Sequence, residues 1–288
     1  MEILWYIIVT LVLTTYFVLD GYDFGVGMLF PFLTGNEAER RMVRATIGPV
    51  WTGNEVWLIA GTALMFLAFP RAYASGFSGF YLALMILLWV LVGLGLAFEL
   101  CEQVNHLLWR RFWDTIFSIT SLLLALVLGL LVGNVIRGVP LNPQGYFFLP
   151  LWTDFRPGFL PGIFDWFTLL TGSIIVVLLM VHGATYLAMK TSAPLQVKSR
   201  SLAKSATPIA ALCLSSFLTA LSFVQPVFGK NYDAHPMGYA WPLGSLAALA
   251  ALHLCHMRKR QVAAFTSSSF IVVFLFMAIA WGGRTHIF

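Results

Sequence analysis

The chain has 288 residues, of which 59% are hydrophobic, 15% aromatic and only 10% charged, and its mean hydropathy is +0.85. A soluble domain carries roughly a quarter charged residues, so this composition excludes an ordinary soluble enzyme and describes an integral membrane protein. The net charge of +5 needs no nucleic acid to explain it, because loop lysines and arginines that orient membrane helices supply it.

A spanning helix takes ~20 mostly apolar residues, and the sequence divides into about eight such segments, near 4–31, 46–69, 77–99, 113–136, 165–189, 205–228, 239–257 and 262–282. The first run is too long for the apolar core of a signal peptide and follows the acidic Glu2. The expected architecture is all-α: a four-helix bundle over 1–136, an extracytoplasmic loop over 137–164 rich in proline and aromatics, and a second four-helix bundle over 165–288. Cys101, Cys213 and Cys255 lack CxxC spacing and read as structural thiols.

The loops after the odd-numbered segments hold 12 of the 17 basic residues, from Arg40, Arg41 and Arg44 to Arg258, Lys259 and Arg260. The opposite side has Arg71, Arg137, Arg156, Lys230 and Arg284. The positive-inside rule then places both termini outside the cytoplasm.

The stretch LDGYDFGVGML, 19–29, sets Asp20 and Asp23 inside the first span. An unpaired charge at that depth is costly, so an intramembrane acid marks a candidate functional site. Gly21 and Gly25 make a G-x-x-x-G pair that lets a neighbouring helix approach. Segment two brings Trp51, Asn54, Glu55 and Trp57, with Glu55 near mid-depth, and segment three ends at Glu99. Counting ~1.5 Å per residue, Asp20, Asp23, Glu55 and Glu99 fall in or near one half of the membrane, an arrangement suited to a proton path. Histidine is sparse. His182 and His253 are the sole pair of similar depth, and polar packing accounts for His182 better than metal ligation.

Four stretches, LDGYDFGVGML (19–29), GPVWTGNEVWLIAGTALMFLAFPRAYASGFSGFY (48–81), GNVIRGVP (133–140) and HGATYLAMKT (182–191), resemble subunit II of the cytochrome bd-type quinol oxidases. The resemblance implies two four-helix bundles plus a peripheral ninth helix in a bacterial cytoplasmic (inner) membrane. It also implies a homologous subunit I that holds two haems b and haem d and oxidises quinol. Subunit II would bind no haem itself, would hold a structural quinone in some members, and would sit beside small single-helix subunits. Its expected roles are stabilising subunit I and contributing to proton delivery for the reduction of oxygen to water. The family's acids carry over to Asp20, Asp23 and Glu99, and its second-helix motif to Trp51, Asn54, Glu55 and Trp57.

The sequence departs from the pattern at Thr52, where the family carries Asp, and at Leu94 and Cys101, where it carries Arg. A hydroxyl relays a hydrogen bond but holds no charge at neutral pH, and Glu102 offers a nearby acid. The sequence stops at WGGRTHIF, where family members continue through a proline-rich loop into a ninth helix, so either the protein is a short variant missing that helix or the sequence is incomplete. Two other classes fit the bare residues: a proton-coupled secondary transporter, which predicts internal repeats and broken helices, and a purely structural partner.

Overall fold

A computed structural model of the chain describes residues 1–158 and 161–283. Phe159 and Leu160 of the long loop lie outside the described residues, as do residues 284–288, which include Arg284 and the end of the expected second bundle. Among the described residues the elements are α1 (Glu2–Leu33), α2 (Glu37–Ile47), α3 (Trp51–Ala68), α4 (Pro70–Gly79), α5 (Tyr81–Cys101), α6 (Leu107–Arg137), α7 (Trp166–Lys190), α8 (Leu195–Val224), α9 (Pro226–Ala234), a 3-10 turn (Pro236–Tyr239), α10 (Ala240–Met257) and α11 (Gln261–Gly283).

Among the described residues seven helices are long and apolar enough to cross a membrane, or eight if α2 and α3, which meet at a bend of 41°, are counted together as one span. The kink has a local cause. Residues 37–47 are rich in charge and bury one stripe, Glu39, Val43 and Ile47, whose i, i+4, i+8 spacing belongs to a helix lying against a surface. Asn36 starts α2 by accepting the Glu39 amide at 2.9 Å, and Gly48-Pro49 separates it from the apolar α3. The expected span 46–69 is therefore a shorter span preceded by an amphipathic helix. The sixth span begins ten residues earlier than expected, because Leu195–Lys204 forms the first turns of α8 and buries Leu195, Ser199 and Ala203.

Helix α1 is the centre of the molecule. From Asp20 to Phe30 every residue is buried, and it packs against α3, α6, α7 and α11. One apolar core joins α1, α5, α6 and α7, and a second joins α7, α8, α10 and α11. A small third core of Phe80, Ala83, Phe147, Leu149 and Ile163 seats the long loop on α5. The alternating helices create a basic end, with α2, the α5–α6 turn and the α10–α11 turn, and a loop end, with residues 138–165 and α9.

Two buried clusters close these ends. At the loop end Arg137 pairs with Asp165 and donates to the Gly162 carbonyl and to Asn134 Oδ1. Asp165 also caps α7 by accepting from the Phe167 and Thr168 amides, while the Thr168 hydroxyl accepts from the Asp165 amide. At the basic end Asp114, in the second turn of α6, receives Arg40 at 2.8 Å and Arg44 at 2.6 Å. Two acids, Glu37 and Glu102, also flank Arg44.

Candidate functional site

Helices α1 and α7 touch through their backbones. A side chain at Gly25 would run into the Leu179 carbonyl and Gly183, and one at Gly183 would run into the Gly25 backbone. Gly21 faces the flexible Leu179 side chain instead. The sequence expects a close helix neighbour at Gly21 and Gly25, and α7 fills that place. This contact turns the adjoining α1 surface inward, and Asp20 and Asp23 are each only 2% exposed.

Asp23 is held from α3. Asn54 Nδ2 lies 2.8 Å from Asp23 Oδ2, 2.7 Å from the Tyr22 hydroxyl and 3.3 Å from the Leu19 carbonyl. An amide nitrogen has two hydrogens, so Asn54 serves two of these acceptors at a time. Asp23 Oδ1 is buried with no hydrogen-bond partner, the buried Tyr16 hydroxyl lies beside the Asp20 carboxyl, and neither acid forms an ion pair among the described residues. Glu55 is half-buried one residue along α3 and near enough to Asp20 for direct charge interaction.

Two further tyrosines belong to this group, and sequence reasoning missed them. The Tyr22 ring stacks on Tyr186 with centroids 4.0 Å apart and 14° between planes. The Tyr186 hydroxyl donates to the Thr46 carbonyl at 2.8 Å, the last turn of α2 at the basic end. Hydroxyl and amide groups thus continue from Asp23 through Asn54 and Tyr22 to Tyr186. Tyrosine in a membrane helix ordinarily reads as packing, and only the motif contexts LDGYDFG and HGATYLAMK carry a signal.

Glu99 is not brought to the group. It lies exposed on α5, because distance along a helix axis fixes depth and says nothing of which side the residue faces. Trp51 stacks on Phe98 of α5 with centroids 5.2 Å apart, while Trp57 and Thr52 face outward. Leu94 and Cys101 are buried at 3% and 1% exposure. Cys101 Sγ lies 3.8 Å from Asp114, whose charge is matched by Arg40 and Arg44 of α2. Asp114 carries no signal of its own in the sequence, where it sits inside the charged break WRRFWD.

His182 ties three helices together. Its Nε2 lies 2.9 Å from the Val18 carbonyl of α1 and its Nδ1 2.8 Å from Ser268 Oγ of α11. Phe265 stacks on its ring at 5.1 Å. With both nitrogens engaged, His182 does not fit as an axial haem ligand, and His253 is exposed on α10. Among the described residues no three His, Cys, Asp or Glu side chains are grouped to hold a metal ion.

Residues 1–286 match the family described as cytochrome bd terminal oxidase subunit II. The cytochrome bd ubiquinol oxidase subunit 2 of Bacillus subtilis (strain 168) is 34% identical over 228 residues, 79% of this chain and 65% of that protein. The cytochrome bd-I ubiquinol oxidase subunit 2 of Escherichia coli (strain K12) is 36% identical over 215 residues, 75% of this chain and 55% of that protein. The matched region is thus less than two thirds of either relative's length. Among solved structures, a chain of the bd oxidase from Geobacillus thermodenitrificans shares the fold with a TM-score of 0.77 at 16% identity, covering 98% of this chain and 84% of that one.

Proposed function

The chain belongs to the cytochrome bd terminal oxidase subunit II family, and from that premise we propose that it is the non-haem subunit of a cytochrome bd-type quinol:oxygen oxidoreductase. In this reading it stabilises a haem-bearing subunit I in a bacterial cytoplasmic membrane, with the basic end towards the cytoplasm and the N-terminus outside. The haems of subunit I supply the reduction of oxygen to water when bound there, and this chain contributes to the delivery of protons.

The observation that carries the proton role is the buried group on α1 and α3. Two carboxyl groups without a cationic partner, Asp20 and Asp23, must change charge whenever they take or release a proton, and a lasting charge there is costly. Asn54 holds Asp23 Oδ2 in place and leaves Oδ1 to exchange a proton. Tyr22 and Tyr186 extend the polar groups towards Thr46 at the basic end. Glu55 lies beside Asp20 as a further carboxyl group, and Glu99 faces outward, away from this group.

Purification through a tag on this chain should bring down a haem-containing complex with the visible absorption of haem d. Within that complex, Asp20→Asn or Asp23→Asn should lower oxygen consumption about 100-fold with haem content unchanged, the low end of what a positioned proton-transfer group contributes. Tyr186→Phe should lower it less, because Asp23 and Asn54 stay in place. Full activity in both Asp variants would reduce the two acids to packing, and a colourless single-chain preparation would overturn the oxidase reading.

A further inference from the structure

The basic end divides into a half where most cations meet an acid and a half where several form no ion pair among the described residues. Around α2 and the α5–α6 turn, Arg40, Arg41, Arg44, Arg110 and Lys198 all meet Glu37, Glu39, Glu102 or Asp114. The one acid that reaches the start of α8 among the described residues, Glu39, is taken up by Lys198, and none pairs with the cations at the end of α10. Beyond Asp165 the described residues contain one carboxylate, Asp233, and it accepts from Tyr239 at the opposite end of the molecule. Arg200, Lys204, Arg258, Lys259 and Arg260 form no ion pair among the described residues.

Within this half lies His256, only 4% exposed, with neither ring nitrogen hydrogen-bonded. Arg200, Lys204 and His253 are near enough to act on it electrostatically. Buried polar groups in folded proteins are ordinarily paired, so an imidazole with two idle nitrogens calls for a partner. Orientation in the membrane requires basic loops, but it does not require them to gather over a buried histidine. Lys198, in the turn of α8 before these residues, shows the other solution, since it reaches Glu39 at 2.7 Å.

We propose that Arg200, Lys204, His253 and His256 hold the phosphate of an anionic phospholipid between the first turns of α8 and the last turns of α10. The position favours a lipid over a soluble phosphate compound or an acidic protein. Leu212, eight residues after Lys204, and Leu246, seven residues before His253, are 70% and 47% exposed. That spacing sets each on the same helix face as its basic residue, so apolar surface for an acyl chain continues below the headgroup site. Basic pockets between membrane helices have this recognition chemistry. The proposal does not depend on the proton role argued above.

The test uses the full chain, with its partner subunit where the two co-purify, placed in nanodiscs of phosphatidylcholine alone or mixed with phosphatidylglycerol. After a detergent wash, the retained lipid is measured by mass spectrometry. Phosphatidylglycerol should be retained selectively. At about fivefold per Lys or Arg near an anionic headgroup, Arg200→Gln with Lys204→Gln should lose about 30-fold in retention. His256→Gln alone should weaken retention with helicity unchanged, which keeps the idea testable if the double variant fails to fold. Arg111→Gln, at an exposed arginine of the same end that lies outside the patch and forms no ion pair among the described residues, should have no effect. Equal retention of the two lipids, or an Arg111→Gln loss as large as that of Arg200→Gln, would overturn the proposal. So would equal thermal stabilisation by inorganic phosphate, or full shielding of Lys204 from amine labelling by the partner chain in phosphatidylcholine alone.

Discussion

At the scale of single residues, the contrast between Gly25 and Gly53 separates packing from tolerance. A methyl group at Gly25 meets backbone atoms of α7 that cannot rotate away, whereas one at Gly53 meets nothing within 4 Å. Gly25→Ala should therefore destabilise the chain by about 1–3 kcal/mol or more, the range for forcing extra volume into a packed core. Gly53→Ala should be neutral or slightly stabilising. Thermal unfolding in detergent checks both. Single residues also decide how much of the site is legible in the sequence. Asp20, Asp23 and Asn54 announce themselves because polar side chains are rare in apolar helices. Tyr22 and Tyr186 do not, since their hydroxyls matter only through partners on α3 and α2, and no local pattern encodes those.

At the scale of elements, α2 shows how charge does what hydropathy cannot. Its apolar stripe is short, and it is fixed by ion pairs to two other helices: Asp114 of α6 through Arg40 and Arg44, and Lys198 of α8 through Glu39. Asp114→Ala leaves both arginines without their shared partner. The expected cost is about 2–3 kcal/mol, below the roughly 3–5 for a fully buried pair because the Arg40 side chain is 24% exposed. Earlier proteolysis near Gly48 in a time course would reveal the release of α2.

The Lys198 ammonium, with help from the Gly35 amide, holds the Glu39 carboxyl below its ordinary value of about 4.5. The folded carboxyl thus gives up its proton more readily than the unfolded one. Its contribution is complete above that ordinary value and is lost as pH falls through the lower, folded one. Lys198 is nearly half exposed, so the contribution is small. Melting curves taken across the acid range should show a loss of stability that Glu39→Gln flattens. The long apolar helices are legible in the sequence because a run of ~20 apolar residues rarely serves anything but a membrane span. The boundaries of α2 and α8 are not, because charged turns such as Leu195–Lys204 look like loops until the buried face is seen.

At the scale of the whole molecule, two apolar cores meet along α7, and α1 crosses that meeting line. The outer helices α3 and α5 bury few side chains, among them Asn54, Leu87 and Leu94, so most of their surface faces lipid or another subunit. The buried Arg137–Asp165 pair ties α6 to α7 at the loop end. Removing one partner, as in Asp165→Ala, also removes the α7 cap, and a loss of about 3–5 kcal/mol is expected. The measurement is the midpoint of thermal unfolding beside that of Asp154→Ala, whose carboxylate serves only its own turn. The contact between Gly25 and Gly183 has a further consequence for biogenesis. Helix α1 leaves the ribosome before α7, and the α7 surface that closes on its Gly25 face is made roughly 150 residues later, a delay on the order of ten seconds at about 5–20 residues per second. Through that interval the newborn α1 has α3 and α6 but neither α7 nor α11 to pack against, and a chain cut short before α7 would present quality-control proteases with two acids only partly sheltered.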